Sequence, residues 1–314
     1  MESLLVVIPP DADGMDEHKV QAAIDALRAE ADVQVVRVRL PGELDGALHR
    51  RGGRTVVVAG GDRHLHSVVA ALHRRNELDD ALLAVLPDGS GRGFACGAGV
   101  PPDPDVAART VLAGVERRFD LIVDCRGSVV VNAVRLGRWP SRGGEGWWGR
   151  VGGRDGFGDQ GPLSAFGRPD RRRGSVRTKP LHVRIEADDA VVADFDRPVL
   201  SVAVASTRSA APTLSSAPTL GAATRSAAAA GAEAADGYAS LSVSFAVDRL
   251  AAARHWLRRP HPVARDDLVT IKARQIKVSG QRFWMSCDGK DSGTEQRCTW
   301  KVVPRSLRMI VPAA

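Results

Sequence analysis

Arg54-Thr55-Val56-Val57-Val58-Ala59-Gly60-Gly61-Asp62-Arg63-His64-Leu65-His66-Ser67-Val68-Val69 decides the fold of this chain. Its opening residues form an apolar, β-branched run without alternation, the pattern of a strand buried on both faces. Two glycines break that run. Leu65, Val68, Val69 and Leu72 then recur at i, i+3, i+4 and i+7, the stripe of a helix packed on a sheet. A strand that passes through glycines into a helix predicts an open parallel α/β sheet, with ligands at the carboxyl ends of its strands.

The flanks repeat the pattern. Leu4 to Ile8 is a short apolar run ending at Pro9-Pro10, and Val20, Ala23, Ile24 and Leu27 follow at helical spacing. Val33 to Val38 and Leu82 to Leu86 read as further strands. An N-terminal α/β domain is therefore expected over 1–125. From Leu121 the character changes. Leu121 to Val123, Val129 to Val131, Leu181 to Ile185, Val199 to Val204, Leu241 to Phe245, Leu268 to Ile271 and Ile276 to Val278 read as strands with few helices between them. They predict a β-rich domain of sandwich type over 126–298. Within it, residues 138–180 form a Gly- and Arg-rich stretch holding Trp139, Trp147 and Trp148, either a loop or a lid over a hydrophobic ligand. Residues 222–235 are Ala-rich, a helix or a loose connection.

Composition narrows the function classes. The chain has 314 residues and a net charge of +7, from 44 basic and 37 acidic side chains. Such a balance favours anionic ligands, a membrane surface or nucleic acid. The excess is Arg dispersed through an Ala- and Gly-rich chain, so no nucleic-acid partner is expected. Arg171-Arg172-Arg173 allows peripheral contact with an anionic membrane. Cys96, Cys125, Cys287 and Cys298 contain no CxxC pair, which argues for free thiols rather than a zinc site or a disulfide framework. The acidic start, Met1-Glu2-Ser3, and the shortness of every apolar run lead to an expectation of a soluble, cytoplasmic protein. Nothing indicates an oligomeric state.

Several motifs resemble, in order along nearly the whole chain, the diacylglycerol kinase and sphingosine kinase catalytic-domain family. Gly60-Gly61-Asp62 with Leu65 and Val68-Val69 is similar to that family's GGDGTLNEV loop, and Pro87-Asp88-Gly89-Ser90-Gly91-Arg92-Gly93-Phe94-Ala95 to its PxGTxNDFA loop. Asp236-Gly237 stands where the family has a DDG turn, Cys287-Asp288-Gly289-Lys290 where it has DGE, and 303–312 resembles its closing strand. The resemblance implies a nucleotide-binding α/β domain joined to a β-sandwich, with 299–314 returning to the first domain. It also implies ATP between the domains and a lipid hydroxyl as acceptor. Gly60, Gly61, Arg63, Gly89 and Ser90 then mark the phosphate loops, where backbone N–H groups meet anions at a helix N-terminus.

The departures from the family fall on polar positions. Arg63 replaces a loop glycine, and His64, His66 and Ser67 replace Thr, Asn and Glu. Arg92 and Gly93 replace the Asn-Asp pair, Ala235 replaces the first Asp of the DDG turn, and Lys290 replaces the Glu that the family uses as proton acceptor. A protonated Lys cannot accept a hydroxyl's proton. The apolar framework around these positions is kept. Asp62, His64, His66, Arg92, Asp288 and Lys290 are therefore the candidate catalytic residues of a site working without metal or cofactor, each weighed against being a solvated loop side chain. The expected function is a repurposed enzyme that removes water from a hydroxylated hydrophobic small molecule. The alternatives are a kinase using ATP and Mg2+, and a non-catalytic regulator that binds a nucleotide or lipid.

Overall fold

The computed structural model describes residues 2–9, 16–88, 92–137, 180–206, 235–245 and 268–313. Positions 89–91, which include Gly89 and Ser90, lie outside them, as do the Trp-rich stretch, most of the Ala-rich stretch and Arg171 to Arg173.

The first domain alternates strand and helix: β1 (Ser3–Ile8), α1 (Glu17–Glu30), β2 (Asp32–Arg37), α2 (Pro41–His49), β3 (Thr55–Ala59), α3 (Asp62–Arg74), β4 (Leu82–Leu86), α4 (Gly93–Gly97) and α5 (Pro104–Ala113). β1 pairs in parallel with β2 and β3, and β3 with β4. Helices pack on these strands as the stripes predict, with Val20, Ala23, Ile24 and Leu27 of α1 and Leu65, Val68, Val69 and Leu72 of α3 all buried. The start of α5 follows from its caps. The Asp103 side chain accepts from the Asp105 N–H, and Pro104 occupies a first-turn position where no amide donor is needed.

Strands then take over: β5 (Val115–Asp124), β6 (Val129–Val130), β7 (Ala133–Leu136), β8 (Val183–Ala187), β9 (Ala190–Ala193), β10 (Val199–Ser206), β11 (Ala239–Phe245), β12 (Leu268–Ala273), β13 (Gln275–Cys287) and β14 (Lys290–Val311). The fold is thus an α/β N-terminal domain followed by a β-rich C-terminal domain. The described strands join in one hydrogen-bonded sheet with the path β12-β11-β10-β7-β13-β14-β4-β3-β1-β2, continuous between the two parts. That sheet serves two cores, one around β1, β3, β4 and their helices and one around β7, β8, β10, β11 and β13.

β14 is what joins them. At 22 residues it pairs antiparallel with β13, then antiparallel with β5, and ends parallel to β4 through Arg308 and Met309. Its register with β5 slips between Val303 and Leu307, where Arg305 takes a positive φ of 53°. The buried carboxylate of Asp120 holds the slip, since Oδ1 accepts the Arg305 N–H at 2.8 Å and Oδ2 accepts the Gly237 N–H at 2.7 Å. One side chain thereby ties β5 and β14 to the turn before β11.

Candidate active site

The first glycine after β3 has a conformational and steric cause. Gly60 has φ +127° and abuts His64, so that a Cβ there would lie 2.3 Å from His64 Nδ1. The Gly61 N–H donates to that same Nδ1 at 3.3 Å. His64 therefore folds back over the loop and caps the first turn of α3.

One residue into α3, Asp62 is buried. Its Oδ1 accepts the Phe94 N–H at 3.0 Å and its Oδ2 accepts Asn132 Nδ2 at 2.7 Å. Burial pushes its carboxyl up to about 7. The Phe94 N–H opposes this, the charge of Asp288 adds to it, and Asn132 opposes it again. A carboxyl so placed exchanges its proton near neutrality.

Asp288 is aimed by a two-residue hairpin turn. Cys287 pairs with Lys290 across the β13–β14 hairpin, and Asp288 and Gly289 have φ of 47° and 80°. Both central residues of such a turn need positive φ, which Asp-Gly tolerates best. The side chain enters the interior beside the start of β7. Oδ1 accepts the N–H groups of Asn132 and Ala133, at 2.8 and 2.9 Å, while Oδ2 accepts the Val131 N–H and His66 Nδ1, both at 2.8 Å. Four donors fill its acceptor capacity, so Asp288 orients its neighbours and has no lone pair to spare as a base. Its demand for a proton at Nδ1 leaves His66 Nε2 as the acceptor nitrogen. His66 lies one turn beyond Asp62 on α3, and its side chain is 16% exposed.

The structure brings Asp62, His66 and Asp288 together through Asn132, whose side chain holds one aspartate while its N–H holds the other. The other candidates take different posts. Arg92 is half-buried and donates to the Pro102 carbonyl at 3.0 Å, bracing the second loop. Arg63 and Lys290 are exposed. Two participants are not among the sequence candidates. Asn132 follows an apolar strand, where a polar residue is an available but weak signal. Arg135, on β7, is pressed down to about 10 by loss of water, opposed by the charges of Asp62 and Asp288.

A divalent ion does not fit the residues near the DDG-like turn. Asp236 accepts the Tyr238 N–H with Oδ1 and pairs with Lys272 through Oδ2 at 2.9 Å, so a cation already faces its outer oxygen. Ala235 supplies no ligand atom from its side chain, and both oxygens of nearby Asp120 are engaged. No group of three or more His, Cys, Asp or Glu among the described residues has the arrangement of a metal site.

Parts of the chain and its fold are similar to known proteins. Residues 3–123 match the family model described as diacylglycerol kinase catalytic domain. A stretch of 80 residues is 39% identical to the "Probable lipid kinase YegS-like" protein of Stenotrophomonas maltophilia (strain K279a), and covers 24% of this chain and 26% of that relative's length. The fold of the whole chain resembles two structures of a "putative diacylglycerol kinase" from Bacillus anthracis str. Sterne. One has a TM-score of 0.67 and 18% identity over 99% of this chain and 96% of the other, and the second has 0.65 and 17% over 99% and 97%. Residues 3–123 thus match a diacylglycerol kinase catalytic domain, within a whole-chain fold like that of the Bacillus anthracis structures.

Proposed function

We propose that the chain is an enzyme that moves protons on a hydroxylated hydrophobic small molecule, with His66 as base, Asp62 as acid and elimination of water as the reaction. The observation that carries this reading is the 2.8 Å contact between His66 Nδ1 and Asp288 Oδ2, which fixes the imidazole and, with Nδ1 donating, leaves Nε2 to accept. His66 Nε2 takes a C–H proton beside a carbonyl, and the electron pair left behind forms the C=C bond as the neighbouring C–OH bond breaks. The protonated Asp62 carboxyl supplies the proton with which hydroxide leaves as water. Neither ATP nor a metal enters the step. The hydrophobic substrate class is taken from the lipid-kinase family, and the hydroxyl from the acceptor group on which such kinases act.

The test is product formation. With medium-chain β-hydroxy carbonyl compounds, the wild type is expected to form the α,β-unsaturated product with release of water, while H66Q loses on the order of 10²-fold or more of that rate. Absence of the unsaturated product across such a panel rejects the elimination reading.

A second reading, ATP-dependent phosphorylation of a lipid or small-molecule hydroxyl, draws on the family match over residues 3–123. In it, His66 takes the acceptor's proton in place of the glutamate that Lys290 replaces. Transfer of a labelled γ-phosphate, assayed with and without Mg2+, separates the two: labelled product establishes the kinase. Saturable nucleotide or lipid binding with neither reaction identifies a regulator.

A further inference from the structure

Ser206 carries a buried hydroxyl that the acid–base step leaves unused. It ends β10, and its N–H donates to the Asn132 carbonyl at 2.9 Å, so the two residues stand opposite each other where β10 runs beside the start of β7. Before that point the register pairs Val202 with Leu136, Val204 with Val134 and Ala205 with Ala133. Paired residues, and residues two apart on one strand, project from the same face of a sheet. Ser206 and Asn132 therefore continue the row of Val202, Val204, Val134 and Leu136, which faces the second core. At its end that row turns polar. The Asn132 side chain reaches Asp62, while its N–H holds Asp288, which in turn holds His66. Opposed residues of an antiparallel pair have Cβ atoms about 5 Å apart, which sets the Ser206 hydroxyl beside the carboxamide that steadies Asp62.

Ser206 is 6% exposed, and its Oγ has no hydrogen-bond partner among the described residues. Buried hydroxyls are normally paired, because an unmade hydrogen bond there costs free energy. Ala239, its partner on β11, is apolar, and Ala in place of Ser206 would pack the row without that cost. Next to it, Asn132 and His66 are only partly covered, so a ligand that reaches His66 comes up to the end of the row. The proposed step lacks one group. Removing a C–H proton beside a carbonyl gathers negative charge on the carbonyl oxygen. His66 receives that proton, Asp62 gives its own to the departing hydroxyl, and Asp288 is an acceptor already filled by four donors. A hydroxyl donor held in place away from water is what such an oxygen needs.

We infer that the Ser206 hydroxyl donates to the carbonyl oxygen of the substrate and steadies the charge that gathers there as His66 takes the neighbouring proton. This rests on the acid–base reading of the same cleft. Calorimetry on the full chain in the H66Q background, which removes the base, tests it with two probes. One is the methyl ester of β-hydroxyoctanoate, and the other is the matching methyl ether, in which a methylene replaces the carbonyl. H66Q is expected to bind the ester about three- to tenfold more tightly than the ether, and H66Q/S206A to bind the two alike. S206A alone should keep the wild-type Tm or exceed it, since the hydroxyl it removes bonds nothing in the free protein. A lowered Tm, or failure to fold as judged by far-UV circular dichroism, assigns the hydroxyl to the fold and overturns the inference. So does a preference for the ester that survives S206A, or no binding of the ester to H66Q. Because binding is read without the base, an absent elimination reaction beside a Ser206-dependent preference rejects His66 as base and spares Ser206.

Discussion

Asp288 and Asp62 show how two buried carboxyls bridged by one asparagine acquire opposite behaviour. Asp288 is surrounded by donors and acts as a fixed acceptor, whereas Asp62 has two donors to set against its burial and keeps its proton to about pH 7. Replacing Asp288 with Asn turns an NH2 group toward backbone N–H donors. The expected loss is on the order of 2–5 kcal/mol in denaturant unfolding, together with loss of any activity that needs an oriented His66. Asp62 gives a pH signature. Its folded pKa is raised from 3.8 to about 7, so between those values the folded state holds a proton that the unfolded state has lost. The stability this contributes is fully present below pH 3.8 and is lost as pH rises to 7, at a slope of up to about 1.4 kcal/mol per pH unit. Unfolding measured from about pH 4 to 7 should show that decline in the wild type and a shallower one in D62N. Parallel curves would mean that Asp62 titrates normally.

At the level of elements, the start of α4 leaves little room for a side chain at position 93. A Cβ on Gly93 would lie 2.7 Å from Asn132 Nδ2 and 3.2 Å from Asp62 Oδ2, so Asn132 fills ground that a longer residue at 93 would need. Gly93→Asp, which restores the family's residue, is therefore expected to cost about 1–3 kcal/mol through crowding and to repel Asp62. Asn132→Ala in the same chain should return part of that loss, a coupling readable in a double-mutant cycle. Additive effects would show that the two positions do not compete. The Asp288-Gly289 turn is the converse case, since an Asp-Gly dipeptide between two strands is in itself the signal of a tight hairpin. Its consequence, a carboxylate delivered to the start of β7, depends on pairing with a strand far away in the chain.

For the molecule as a whole, β14 decides whether there are two domains or one cooperative unit. Leu307, Met309 and Val311 are buried in the first core, although more than 180 residues separate them from β5. Deleting residues 304–314 strips β4 and β5 of a partner and exposes that core. The truncated chain is expected to lose its cooperative unfolding transition and to bind a hydrophobic dye, as seen by circular dichroism and fluorescence. A truncated protein with the wild-type transition would show that the first domain closes without it.

Much of the architecture was legible because it is local. The unbroken apolar run before Gly60, the stripe of Leu65, Val68, Val69 and Leu72, and the apolar run of Leu82 to Leu86 each state a period, and period follows from backbone geometry alone. Shorter pieces such as β7 and β9 were not, because four residues are too few to establish one. Asp62, His66 and Asp288 stood out through the motifs that resemble the lipid kinase family, while Asn132 and Arg135 did not, sitting beside or within an ordinary strand. Sequence by itself determined which segments are strands and helices and which turns need glycine, since those depend on neighbours in the chain. Only the tertiary structure decided that His66 meets Asp288 across a separation of 222 positions while Arg92 turns to Pro102. Burial and long-range register create those meetings, and neither is a property of any one stretch of chain.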